Sequence, residues 1–161
     1  MKKLWLIAIC SVVLLSCGST KTIKESKKTL KGSWTLDDIS YDRAGTFNVT
    51  IFGDTSAECL EGSTWRFIPN NNFGNYEITD TNCPTGKRYF VWALPGIGEN
   101  ETAYDIILKP TDEKMKSTMD EKGFKLSISY LSDDQLQINQ KVQLEGKPFT
   151  ISMNFSKIIT Q

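Results

Sequence analysis

From residue 30 onward, apolar and polar side chains alternate, the period-two signature of strands that bury one face. The clearest run is Phe149, Ile151, Met153 and Phe155, with Thr150, Ser152, Asn154 and Ser156 between them. Phe124, Leu126, Ile128 and Tyr130 alternate with Lys125, Ser127 and Ser129 in the same way. Ser132-Asp133-Asp134 then marks a turn, followed by Leu136 and Ile138 and by Val142 and Leu144 on a shifted register. With the turn Glu145-Gly146-Lys147-Pro148, these last three strands read as a meander of hairpins. Earlier, residues 63–68 and 74–79 flank a tight polar connection, and further strands are expected near 33–41, 47–52, 87–94 and 103–109. Nine short, closely spaced strands predict an antiparallel barrel or sandwich.

Two stretches read as helical. Residues 54–60 could form one turn, capped by Asp54 or Thr55 and stopped at Gly62. Residues 111–122 carry good helix formers, with Met115 and Met119 one turn apart and set to pack against a barrel mouth.

The N-terminus has a different pattern. Lys2 and Lys3 precede an apolar run over 4–15, too short to span a bilayer as a resident helix, so 1–16 reads as a secretory signal peptide. Leu14-Leu15-Ser16-Cys17 resembles a bacterial lipobox, in which the thiol of Cys17 takes the lipid. Residues 17–29 then form a lipidated tether, and Lys21, Lys24, Lys27, Lys28 and Lys31 against Glu25 alone leave too little apolar surface to fold. The expected location is the cell envelope, on the outer membrane and facing the periplasm. The folded domain occupies 30–161.

Composition removes most catalytic chemistry. The 161 residues include no His, so no His-based nucleophile, general base or His-ligated metal is available. The acidic pairs Asp37-Asp38, Asp112-Glu113 and Asp133-Asp134 sit in turns, where solvation explains them. No enzyme activity, metal or cofactor is expected. The 19 basic and 19 acidic side chains balance, which argues against a nucleic-acid partner. Cys10 leaves with the signal and Cys17 carries lipid, so Cys59 and Cys83 remain as a pair. In an oxidising compartment they are expected to bridge, a link worth roughly 3 kcal/mol in the chain-entropy picture. Two thiols without His make a poor metal site, and a redox role favours Cys-x-x-Cys.

Gly32-Ser33-Trp34 opens the first strand with a Gly-x-Trp motif. It is followed by the segment from Cys59 through Trp65 and Phe67, by Gly74-Asn75-Tyr76, by Cys83, and by the segment from Leu144 to Phe155. Over residues 30–161 this combination resembles the lipocalin-like lipoproteins common in Bacteroidota. The resemblance implies an all-β, up-and-down antiparallel barrel of eight or nine strands with one or two short helices. It also implies that Gly32 and Trp34 close the barrel, with Lys157 as the basic residue packed over the Trp.

Such a barrel can hold one small ligand or be filled by its own side chains. The large residues assigned to inward positions are Trp65, Phe67, Tyr76, Phe90, Trp92, Tyr104, Phe124, Tyr130, Phe149 and Phe155. Trp65, Phe67, Tyr76, Phe90, Trp92 and Tyr104 are the ligand-binding candidates. Tyr76, Trp92 and Tyr104 lead, because their polar handles can face a wet cavity. Arg66 and Arg88 read as surface residues. The expected function is binding or transport of a small hydrophobic ligand by a monomer. The alternative is a filled barrel acting as a protein-interaction module or inhibitor, with the loop 95–101 as its contact point.

Overall fold

The computed structural model describes residues 18–95, 104–120 and 122–159. The expected signal peptide, Cys17 and all of the loop 95–101 except Pro95 lie outside the described residues. The strands are β1 (Gly32–Tyr41), β2 (Thr50–Ile51), β3 (Thr55–Ser56), β4 (Thr64–Ile68), β5 (Phe73–Ile78), β6 (Gly86–Ala93), β7 (Tyr104–Thr111), β8 (Phe124–Leu131), β9 (Gln135–Leu144) and β10 (Lys147–Lys157). All but β2 and β3 form a closed antiparallel barrel in the order β1-β10-β9-β8-β7-β6-β5-β4, with β4 pairing back onto β1. This is the up-and-down barrel that the resemblance implied, and of the barrel or sandwich that the alternation predicted it is the barrel.

The strand expected over 47–52 does not join the barrel. Only Thr50 and Ile51 extend, and they pair with Thr55 and Ser56 in a separate two-stranded ribbon. The chain turns back at Phe52 and Gly53, both with positive φ (54° and 65°). A bulky residue in that conformation is strained, and here its ring is held by packing against Trp65, Tyr76 and Phe124.

Three other local expectations are corrected. The helix over 111–122 is absent. Thr111 ends β7 and bridges to Ser117, while Oδ1 of Asp112 accepts the backbone N–H groups of Lys114 and Lys116. That side-chain competition for backbone donors favours a turn over a helix, and Met115 and Asp120 adopt positive φ. The short helix α2 spans Ala57–Leu60 and is capped by Ser56, whose hydroxyl accepts the Cys59 N–H, rather than by Asp54 or Thr55. Tyr130 points out and is 53 % exposed, because a bulge between Ile128 and Tyr130 reverses the phase of β8.

Strand β9 keeps one register along its whole pairing with β10, from Leu144↔Lys147 to Gln135↔Ser156. Gln140 occupies the apparent break in its apolar pattern, opposite buried Ile151.

Residues 18–29 of the expected unfolded tether, together with Leu30, form the helix α1 (Gly18–Leu30). Its apolar content is low, but Leu30 is completely buried and Ile23 packs on the core. The barrel end supplies the burial that the helix sequence alone could not. The expected disulfide joins Cys59, on α2, to Cys83 in the β5–β6 connection, with 5.6 Å between Cα atoms.

Candidate functional site

The two ends of the barrel differ. At one end lie the start of β1, the close of β4 and the last residues of β10. Trp34 is fully buried there, and its indole N–H donates to the Leu30 carbonyl at 2.9 Å. The Lys157 ammonium stands 4.7 Å from the Trp34 ring centroid and donates to the Thr29 carbonyl at 2.7 Å. Gly32, at φ 120°, lies beside the Lys157 stem. The structure therefore brings Gly32, Trp34 and Lys157 together, and α1 is bonded to them. Lys27 sits over Trp92 from the same helix.

Above this end the lumen is packed with rings. Trp65, Phe67, Phe90 and Trp92 are 1–3 % exposed. Trp65 touches Phe67, Tyr76, Phe90 and Phe155 at centroid distances of 4.6–6.4 Å. Phe67 meets Trp92 edge-on at 5.7 Å. Gly74 makes this packing possible, since a Cβ there would fall 2.4 Å from the Phe90 ring. The indole N–H groups are also satisfied: Trp65 donates to Ser63 Oγ and Trp92 to the Phe73 carbonyl. The polar handle of Trp92 thus serves the frame and not a wet cavity.

The other end is open. A cavity of about 680 Å³ lies between the β2–β3 turn, β5, β6, β7 and the connection from β7 to β8. Its apolar wall comes from Phe52, Tyr76, Phe90, Leu108, Pro110 and Phe124. Of the six ligand candidates, Tyr76 and Phe90 line this space, and Trp65 lies stacked on Tyr76 at 4.6 Å. Phe67 and Trp92 belong to the packed lumen. Tyr104 begins β7, but its side chain lies outside what the structure describes.

Lys87, Asp112, Glu113, Lys114 and Thr118 add polar groups to the lining, and three further residues that the sequence did not mark as site residues stand out. Asp54 Oδ2 accepts from the Tyr76 hydroxyl at 2.8 Å and from Arg88 Nε at 3.0 Å. Arg88 also donates to the carbonyls of Gly86 and Pro84, which lie close to Cys83 in the chain. Arg88 shares the inward face of β6 with Phe90 and Trp92, so its expected place on the surface is corrected. Burial, and then the adjoining Asp54 carboxylate, hold the Tyr76 phenol far above its ordinary pKa. The third residue is Thr111, a wall residue only 7 % exposed whose Oγ1 has no hydrogen-bond partner. Asp54 and Arg88 stand 34 positions apart, so no local motif joins them.

A second groove, of about 700 Å³, lies at the closed end and is lined by Lys24, Lys27, Lys28, Lys31 and Arg66 together with the β4–β5 turn. Among the described residues no group of three or more His, Cys, Asp or Glu side chains is placed to hold a metal. Among them, also, no helix is long and apolar enough to cross a membrane.

No family model matches the chain. No curated protein matches it either. Among solved structures, a lipocalin-like protein from Bacteroides uniformis ATCC 8492 is similar to it at 14% identity and a TM-score of 0.49, covering 81% of this chain and 99% of that one.

Proposed function

We propose that the protein binds one small apolar molecule in the cavity at the open end of its barrel. The observation that carries this reading is a space of about 680 Å³ with an aromatic and aliphatic wall, charged residues also in its lining, over a packed aromatic floor. Ligand pockets of roughly 300–1,000 Å³ with apolar walls and few polar groups are the usual form of small-molecule sites. The filled lumen moves the binding position from the deep barrel to its mouth.

The anchor belongs to the same proposal. The order of Lys-Lys, apolar run and Leu-Leu-Ser-Cys supports lipidation at Cys17 and attachment to the envelope. The cationic groove of α1 and Arg66 adds support, since clustered basic side chains favour anionic headgroups. The groove and the cavity lie at opposite ends of the barrel, so the mouth faces away from the anchored end.

Native mass spectrometry of the purified protein, followed by titration with a fluorescent hydrophobe, tests the binding reading. One apolar molecule per chain, or saturable dye binding weakened at least about tenfold by Met119→Trp, is expected from bulk added at the cavity wall. An empty protein that takes up no dye overturns it.

A further inference from the structure

We propose that the closed end of the barrel is itself a membrane contact, seated on an anionic bilayer through Lys24, Lys28, Lys31 and Arg66 and through the exposed side chains of Ile158 and Ile159. The inference rests on the anchored reading above and adds to the lipid a contact made by the protein.

The helix α1 has two flanks. Ile23, Ser26 and Leu30, three and four positions apart, turn to the barrel: Ser26 and Leu30 are buried and Ile23 packs on the core. Lys24, Lys28 and Lys31 repeat at helical spacing on another flank and are exposed, as is Arg66. The helical turn carries Lys31 with it, since its N–H donates to the Lys27 carbonyl. Among the described residues none of these four side chains has an ion pair or a hydrogen bond. Glu25 on the helix and Asp133 and Asp134 between β8 and β9 are exposed, but the lining of the groove contains no acid.

This face is held in place before any partner arrives. Lys27, between the two flanks, donates to Asn72 Oδ1 at 2.9 Å, while Lys157 and Trp34 donate to the carbonyls of Thr29 and Leu30. The helix is therefore already ordered on the barrel end, and a partner need not order it. Apolar surface lies beside the cations: Ile158 is 39 % and Ile159 80 % exposed. The Ile158 N–H donates to the Ser33 carbonyl, and Ser33 faces Arg66 across the β1–β4 pairing. Ile158 and Arg66 thus flank Ser33, their backbones about 10 Å apart.

That combination selects the partner. A soluble polyanion asks for cations alone, whereas a bilayer takes basic side chains at its phosphates and apolar ones at the base of its headgroups. Chain order points the same way. Gly18, which follows the proposed lipid site, opens α1, and Lys24 comes about 9 Å later along the axis. The contact is released by salt, so it orients an anchored protein and does not hold it on salt-washed membranes.

The test compares chains that all carry Cys17→Ser, so that no lipid contributes and whatever precedes Gly18 is common to them. Partitioning is read on vesicles of phosphatidylcholine alone and of equal parts phosphatidylcholine and phosphatidylglycerol. At low salt the anionic vesicles are expected to be favoured at least about tenfold, and the preference to vanish near about 0.5 M salt. Lys28→Gln with Lys31→Gln is expected to weaken anionic partitioning about tenfold. Ile159→Ser is expected to weaken it about threefold to fivefold and to leave its salt dependence unchanged. All three positions are exposed, so the fold is not at stake. Unchanged partitioning in the lysine variant overturns the contact, and unchanged partitioning in Ile159→Ser overturns the bilayer as its partner. The lipid is scored separately, by the intact mass of the parent. A parent without lipid whose lysine variant loses the anionic preference keeps the contact and loses the anchor; a lipidated parent whose lysine variant is unchanged keeps the anchor and loses the contact.

Discussion

Tyr76 divides its side chain between two roles. Its ring is buried and stacks on Trp65, while its hydroxyl reaches Asp54 at the cavity edge. Tyr76→Phe keeps the ring and removes one hydrogen bond to a half-exposed carboxylate, so a loss of about 1 kcal/mol is expected at neutral pH. The phenol ionises near its usual pKa of about 10 in the unfolded chain but at higher pH in the fold. The folded state then retains a proton that the unfolded state releases, and the parent loses stability as pH rises past 10. The Phe variant has no such proton, so the gap between the two should shrink between pH 7 and pH 11 in urea unfolding. A gap that stays constant contradicts the buried phenol. Arg88 and Thr111 show what was hidden at this scale. The inward parity of Arg88 is readable from Phe90 and Trp92, but its partner Asp54 is set by the barrel and not by neighbours in sequence. The orphaned state of the Thr111 hydroxyl exists only after β7 has met the connection that follows it.

At the level of elements, strands were legible wherever alternation was uninterrupted, as in β4, β5 and β10. Errors arose where side chains bonded to nearby backbone, as Asp112 does, or where a bulge reversed the phase, as before Tyr130. The helix α1 was missed for a different reason. Its stability comes from Leu30, Ile23 and the Lys157 bond, which are contacts with the barrel and not helix propensity. The Cys59–Cys83 bridge ties α2 to the connection that carries the Arg88 acceptor Pro84. Cys59→Ser is expected to lower Tm by about 10 °C under oxidising conditions, from a link worth roughly 3 kcal/mol. With reductant present the parent should fall to the level of the variant. An equal difference with and without reductant would show that the two sulfurs contribute by packing alone.

For the whole molecule, the sequence conveyed architecture better than site. A closed barrel follows from many short strands with one apolar face each, whereas the position of the cavity depends on how completely the rings of β4, β5 and β6 fill the lumen. The membrane reading also belongs to this scale. Cys17→Ser is expected to move the protein from washed membranes to the soluble fraction, because the proposed lipid site is lost while the barrel is untouched. A variant that still sediments with membranes removes the lipid from the account.

The barrel wall is unevenly stitched. β1 follows β10 from Trp34↔Lys157 to Tyr41↔Ile151, yet it meets β4 only from Gly32↔Phe67 to Thr35↔Thr64, with further bonds at Leu36, Gly62 and Ser63. Between Asp42, still bonded to Thr150 of β10, and Gly62 the chain makes an excursion from the wall. Parting this short seam between β1 and β4 would bare two unpaired strand edges at once. Cys59 lies in the departing segment and is fastened to Cys83 in the β5–β6 connection, so in the oxidised chain that excursion is covalently tied to the barrel at a point before β4 begins. Reducing the bridge therefore does more than remove stability: it lengthens the stretch between β1 and β4 that is held to the barrel by non-covalent contacts alone.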